Sequence, residues 1–336
     1  MKILVTGAAG FIGYFVSKSL LDRGDHVTGI DNLNDYYDVK LKTDRLAKLE
    51  QYKNFTFHKI DIVNKEKIDN LFVTVKPERV IHLAAQAGVR YSLINPNAYS
   101  LSNVTGFTNI LEACRHSGIE HLVYASSSSV YGANKKVPFS IDDRVDQPIS
   151  IYGATKKANE LMAYAYSQLY RLPTTGLRFF TVYGPWGRPD MSYFKFTRNI
   201  IKGLSIDIYN NGQHSRDFTY INDIVDGVIR AFDQIPPDDH ERGHGNGKSM
   251  EEPLPYRLYN LGNNKPVELM YYIHILEELL GKKAIKNMLP LQKGDIPVTW
   301  ADIDKTIVEL GFSPATAIEQ GLKEFVDWYK NYYGPD

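Results

Sequence analysis

Hydrophobic and polar positions alternate along the first half of the chain in two recurring rhythms. Short apolar runs at Lys2–Thr6, His26–Ile30, Phe55–Ile62, Val80–Ala85, His121–Ser126 and Thr175–Thr181 read as strands. Between them, apolar residues recur at helical spacing over Ile12–Arg23, Asn64–Lys76, Asn97–His116 and Ile151–Tyr170. Strand followed by helix, repeated, predicts an α/β fold: a Rossmann-type, doubly wound parallel sheet with helices on both faces and right-handed crossovers. After Gly184 the pattern changes. Pro, Gly and aromatic residues become frequent, and the strands at Ser205–Tyr209 and Tyr256–Asn260 look short. This predicts a smaller, mixed α/β region that receives the substrate. The expected division is 1–180 and 181–336, with about 216–234 packing back on the first part. The stretch Pro236–Pro255, rich in Pro, Gly, Asp and Glu, reads as a long loop.

Composition narrows the classes. Lys plus Arg and Asp plus Glu number 39 each, so no global field favours nucleic acid or an anionic membrane surface. No apolar run approaches the length of a membrane span, and no signal-peptide pattern opens the chain, so a cytoplasmic location is expected. The single cysteine, Cys114, lies in a helical stretch; packing, not catalysis, is expected of it.

The chemistry begins at Thr6-Gly7-Ala8-Ala9-Gly10-Phe11-Ile12-Gly13, between the first strand and the first helix. Gly7 permits the tight turn, Gly10 lets backbone approach a pyrophosphate, and Gly13 lets helix pack on strand. The helix N-terminus then offers free N–H groups to phosphate. Asp31 ends the second strand, 18 residues after Gly13, where a carboxylate accepts from ribose hydroxyls and repels a 2′-phosphate. Asn32 follows it, with no adjacent cation, so NAD is preferred over NADP. Lys40, Lys42 and Arg45 are expected on a solvated loop or helix face. Asp61-Ile62 and Leu83-Ala84-Ala85, at the ends of the next strands, are expected beside the cofactor.

Tyr152 and Lys156 stand four apart, on one face of a helix that Ser150 can cap. A lysine ammonium and an oxidised nicotinamide are each expected to lower the tyrosine into the range of a general base. Lys156 can also reach the nicotinamide ribose. Ser127, in the run Ser126-Ser127-Ser128-Ser129, can share a substrate proton. His240 and His244 also stand four apart, but in the Pro/Gly-rich loop and without a zinc-protease glutamate, so no metal is expected.

Together these motifs resemble the extended short-chain dehydrogenase/reductase family. Within it, Ala85–Ser92, Ser126–Gly132, Gly184–Met191 and Pro266–Leu269 resemble the UDP-glucuronate 4-epimerases, over essentially the whole chain. The resemblance implies an isomerase that holds NAD. Tyr152 takes the proton of the sugar 4-hydroxyl, the C4 hydride visits the cofactor, and a 4-keto sugar turns over before the hydride returns. It implies that Ser127 and Ser128 serve the reacting sugar, and that Arg90 and Thr181 contact substrate. A 4-keto uronate is a β-keto acid that loses CO₂, so its carboxylate needs restraint; Arg188 is the candidate, with a loop ion pair to Asp190 as the alternative. Arg216 is implied for the diphosphate, Tyr209 for the uracil and Asp295 for the uridine ribose. The resemblance further implies a role in polysaccharide biosynthesis and a homodimer through Asn97–His116 and Ile151–Tyr170. A 4,6-dehydratase would want an Asp–Glu pair where Ser128-Ser129 stand. A UDP-pentose-forming decarboxylase and 4-epimerases of UDP-glucose or UDP-N-acetylhexosamines stay open at this point. A non-catalytic NAD-binding protein would be expected to lack Tyr152 or Lys156.

Overall fold

The computed structural model describes residues 1–238, 254–292 and 294–334. His240, His244, Lys293 and most of the Pro236–Pro255 stretch lie outside the described residues. Six strands of the main sheet come from residues 1–180: β1 (Lys2–Thr6), β2 (His26–Asp31), β3 (Phe55–Lys59), β4 (Arg79–His82), β5 (His121–Ser127) and β6 (Thr174–Phe179). A seventh, Tyr256–Leu261, joins from far along the chain. The order is Tyr256–Leu261, β6, β5, β4, β1, β2, β3, and every pairing is parallel.

Apolar side chains stand on both faces of the central strands β1, β4 and β5 because helices cover both sides of the sheet. Ile3, Val5, Ile81, Val123 and Leu177 point to one side, while Leu4, Val80, Leu122 and Tyr124 point to the other. The strand order reverses on either side of β1, whose neighbours are β2 and β4. Such a reversal opens a crevice at the carboxyl ends of the strands.

The helices α1 (Phe11–Asp22), α2 (Val39–Leu49) and α3 (Lys65–Val75) follow the first three strands. The α2 helix, absent from the sequence reading, starts at Asp38, whose side chain accepts from Lys40 N. The expected long helix Asn97–His116 is interrupted: Pro96–Tyr99 and Gly106–His116 are α-helical, with a π-helical segment at Ser100–Thr105. The helix Ile151–Tyr170 has the expected bounds. Beyond β6, Thr181–Tyr183, Ser215–Tyr220 and Pro266–Glu268 form a small mixed sheet, and Ser205–Ile208 pairs with Ile285–Met288. No helix among the described residues is long and apolar enough to cross a membrane. Cys114 is fully buried, and burial pushes its thiol far up.

Candidate active site

At the crevice, the chain after β1 turns back tightly. Gly7 has φ +72°, and a Cβ there would sit 2.8 Å from Ala84 N. A Cβ on Gly13 would sit 2.0 Å from Gly7 O, so only glycine lets α1 lie this close to the turn. Gly10 caps α1 without any side-chain acceptor, which leaves the first N–H groups of the helix to a ligand. Phe11, Ile12, Asp31, Asn32, Asp61, Ile62 and Leu83-Ala84-Ala85 line the same cleft, about 1340 Å³ measured out to its mouth.

Asp31 accepts from Leu33 N at 2.8 Å. Burial raises its carboxyl above the ordinary value, opposed by Leu33 N, Lys42, Ala9 N and Arg45. Asn32 Nδ2 donates to Asp61 Oδ2 at 2.9 Å, tying two strand ends together. A glycine cradle without side chains, an uncapped helix end and a carboxylate at the end of β2 suit a dinucleotide. Lys42 and Arg45 correct the sequence reading. Lys40 is exposed, but Lys42 and Arg45 are buried, at 5% and 0% exposure. Lys42 Nζ donates to Asn34, and Arg45 reaches the carbonyls of Ala9 and Trp186. Both face inward because α2 packs over the crevice.

The far end of the cleft holds Ser127, Tyr152 and Lys156. Ser150 caps its helix, accepting from Gly153 N at 3.0 Å, so Tyr152 lies in the first turn. Lys156 Nζ donates to Ala125 O at 2.9 Å, and burial lowers its ammonium to about 8. The Tyr152 phenol moves opposite to the sequence expectation. Burial raises it, and the Ser127 hydroxyl and the Arg188 charge only partly offset this. Lys156 is engaged with the Ala125 carbonyl, and the burial cost dominates.

Beneath this pair, Asn103 in the π-helical segment bonds the backbone of Gln86 and the hydroxyl of Thr155, while Asn159 donates to Asn103 O at 2.6 Å. Sequence reasoning missed this brace, together with Asn34, Tyr36, Tyr37, Gln86, Ser102 and Met191, which also line the cleft. The tyrosine pair at 36–37 was the available signal; its segment carries no periodicity.

Arg188 lines the cleft with its guanidinium forked on Asp190, Nε to Oδ1 at 3.0 Å and Nη2 to Oδ2 at 2.6 Å. Tyr36 donates to the same carboxylate at 3.2 Å. The loop ion pair weighed from sequence is therefore present. Thr181 is half-buried, with the cleft wall formed by its neighbours Phe180 and Val182, and Ser128 is not among the lining residues.

The residues implied for a nucleotide gather outside the cleft lining. Arg90 lies over the Tyr209 ring at 4.6 Å, and Arg216 Nη2 meets Asp295 Oδ1 at 2.8 Å. Burial lowers the Arg216 guanidinium, Asp295 pulls it up, and the charge of Arg90 pushes it down. Among the described residues no group of His, Cys, Asp and Glu could hold a metal.

Comparison with known proteins finds relatives along nearly the whole chain. The family model described as GDP-mannose 4,6 dehydratase matches residues 4–325. An uncharacterised protein of Escherichia coli O111:H- is 58% identical, covering 99% of both chains. A probable UDP-glucuronate 4-epimerase of Rhizobium meliloti is 46% identical, over 99% of this chain and 98% of that one. A crystal structure of UDP-glucuronic acid 4-epimerase from Bacillus cereus, with UDP-glucuronic acid and NAD, superposes with a TM-score of 0.89 at 34% identity. It covers 99% of this chain and 100% of that one.

Proposed function

The chain belongs to the GDP-mannose 4,6-dehydratase family, and we propose that within it the protein is an NAD-dependent isomerase that inverts C4 of UDP-glucuronate, giving UDP-galacturonate. The carrying observation is a cleft that joins the glycine cradle to Tyr152, Lys156, Ser127 and Arg188. The relatives that bear the 4-epimerase name over nearly their full length support the substrate. The family label does not fix the activity. Ser128-Ser129 stand where a dehydratase would want its acid/base carboxylates.

NAD held in the glycine cradle would supply a hydride acceptor for C4 that is regenerated within each turnover, so it would not be consumed. Tyr152 accepts the 4-hydroxyl proton and returns it, with Ser127 sharing that hydrogen bond. The raised phenol is brought into range by positive charge: Lys156 keeps its proton below about pH 8, and the oxidised cofactor adds a second charge. Lys156 can also donate to the nicotinamide ribose. Arg188 is assigned to the C6 carboxylate. Its fork on Asp190 shows the geometry a carboxylate takes there, and substrate binding exchanges one carboxylate for another. Arg90, Tyr209, Arg216 and Asp295 are assigned to the uridine diphosphate, with Thr181 and Ser128 at the sugar. On this reading 1–180 serves the cofactor and 181–336 the sugar nucleotide, with about 216–234 packed back on the former.

A homodimer is part of the proposal. Leu101, Leu161 and Tyr164, on the two helical stretches expected to pair, remain 53%, 59% and 49% exposed.

One observation favours a second reading: Asp190 already fills the Arg188 fork, which suits a neutral hexose. Proton NMR of the purified protein with UDP-glucuronate, and in parallel with UDP-glucose, decides. UDP-galacturonate formed without CO₂ or UDP-pentose is expected. Turnover of UDP-glucose alone would overturn the uronate assignment.

A further inference from the structure

Arg45 lies in neither the glycine motif nor the Tyr–Lys pair, yet it bonds the glycine turn, the cleft-lining Tyr37 and the backbone just before Arg188. Its side chain is fully buried. Nη1 donates to Ala9 O in the glycine turn at 3.0 Å and to the Tyr37 hydroxyl at 2.9 Å. Nε donates to Trp186 O at 3.1 Å, and Nη2 reaches Trp186 O and Gly187 O. Five donor contacts are therefore made, all to neutral oxygens, by one buried cation. Asp31 feels its charge.

The Trp186–Gly187 end is the more telling. Trp186 has φ +60°, a left-handed conformation that a bulky residue rarely holds without support. Two Arg45 donors converge on its carbonyl. A Cβ on Gly187 would lie 2.1 Å from Tyr193 OH, and the Arg188 amide donates to that hydroxyl at 3.2 Å. The backbone that aims Arg188 is thus gripped by Arg45 on one side and Tyr193 on the other.

We propose that Arg45 is a positioning residue that couples the dinucleotide cradle to the Arg188 segment, so that cofactor retention and restraint of the substrate carboxylate depend on one guanidinium. Its charge behind the turn favours a pyrophosphate on the other side, and its planar fork sets the distance between the walls. Lysine has the charge without the fork. When the grip loosens, the carboxylate of the 4-keto sugar swings into line with the carbonyl. The C5–C6 bond then breaks, CO₂ leaves, its electron pair enters the C4 carbonyl as an enolate, and C5 takes up a proton.

This rests on the uronate 4-epimerase reading, and the full-length protein separates the two. Wild-type protein is first assayed with UDP-glucuronate. Absence of an epimer overturns that reading, while the cofactor measurement below needs no turnover. Arg45→Lys is then compared for NAD retained after gel filtration, for kcat and KM separately, and for the fraction of turnovers ending in CO₂. Loss of charge-assisted hydrogen bonds predicts about tenfold faster NAD loss, a KM increase of about tenfold exceeding any change in kcat, and about tenfold more CO₂. A merely structural defect lowers the amount of active enzyme and leaves the CO₂ fraction unmoved. Should Arg45→Lys fail to fold, Tyr37→Phe removes one acceptor and keeps the charge; it is expected to move the NAD loss rate about threefold in the same direction. Wild-type NAD retention and CO₂ fraction in the folded variant would overturn the proposal.

Discussion

The buried pair Glu160–Arg178 offers a quantitative test of how the catalytic helix is held. Glu160 lies one turn beyond Lys156, and Arg178 lies on β6, with side chains 1% and 2% exposed. The contact is a fork: Nε to Oε1 at 2.8 Å and Nη2 to Oε2 at 2.9 Å. Ser126 donates to Oε1 at 2.7 Å, and Arg178 Nη1 donates to the Tyr131 hydroxyl at 3.1 Å. Burial alone would raise the Glu160 carboxyl, but the Arg178 fork and the Ser126 bond outweigh it and hold it below 4.5. Breaking such a pair strands a charge in the interior, so Glu160→Gln should cost about 3–5 kcal/mol. Removing both partners leaves no fully buried charge, since Lys157, which also pairs with Glu160 at 3.3 Å, keeps 23% of its side chain exposed. Glu160→Leu with Arg178→Met should therefore be more stable than either single variant, with a coupling of roughly 3 kcal/mol. Urea unfolding at pH 7.5, followed by circular dichroism with m-values compared, measures this. The depressed carboxyl supplies stability above its unfolded value near 4.5 that is lost as pH falls, so the wild-type advantage over Glu160→Gln should shrink below that pH. The reasoning fails if Glu160→Gln costs under about 1 kcal/mol, or if the single costs simply add in the double variant.

Three further outcomes follow from the cleft. Gly13→Ala should abolish NAD binding by calorimetry because its Cβ meets Gly7 O at 2.0 Å. Gly24→Ala, with φ +94° and open space around it, should cost only about 1 kcal/mol of backbone strain and bind NAD normally. Lys156→Met should inactivate the enzyme yet raise the melting temperature of the cofactor-free protein at pH 7. The wild-type ammonium is lowered from 10.5 to about 8, a burial cost on the order of 3 kcal/mol, so the unfolded chain binds the extra proton between those values. Wild-type stability therefore rises with pH from 8 towards 10.5, and the variant's advantage should vanish there; an advantage independent of pH would refute the assignment. Arg188→Ala should release CO₂ from UDP-glucuronate, whereas Asp190→Asn, which frees the fork, should lower KM for the uronate and leave that for UDP-glucose unchanged.

Local signals carried the sequence reading where local physics decides structure. The glycine turn, β1, the Ser150 cap and the Ile151–Tyr170 helix all have causes within a few residues of themselves. The reading failed where distant chain supplies the reason. Arg45 looks like part of a solvated face because its carbonyl partners at Trp186 and Gly187 lie more than a hundred residues away, while Lys42 turns inward to Asn34, eight residues back in a segment without periodicity. The break at Ser100–Thr105 is invisible in apolar spacing, since its purpose is to set Asn103 against Gln86 and Thr155. The rise of the Tyr152 phenol was not legible either, because it comes from burial, a property of the finished fold.

The seventh strand of the sheet has a consequence for biosynthesis. β6 is buried along its whole length, and its outer edge is paired only by Tyr256–Leu261. On the ribosome, the whole stretch from Phe180 to Leu261 must be added after β6 before that partner is complete. Throughout that interval the nascent chain presents a strand edge with unpaired N–H and C=O groups, a template for pairing with another chain. Synthesis speed and chaperone supply should thus govern the yield of this protein more than the stability of the finished molecule, and pauses placed between residues 180 and 256 should be the costly ones.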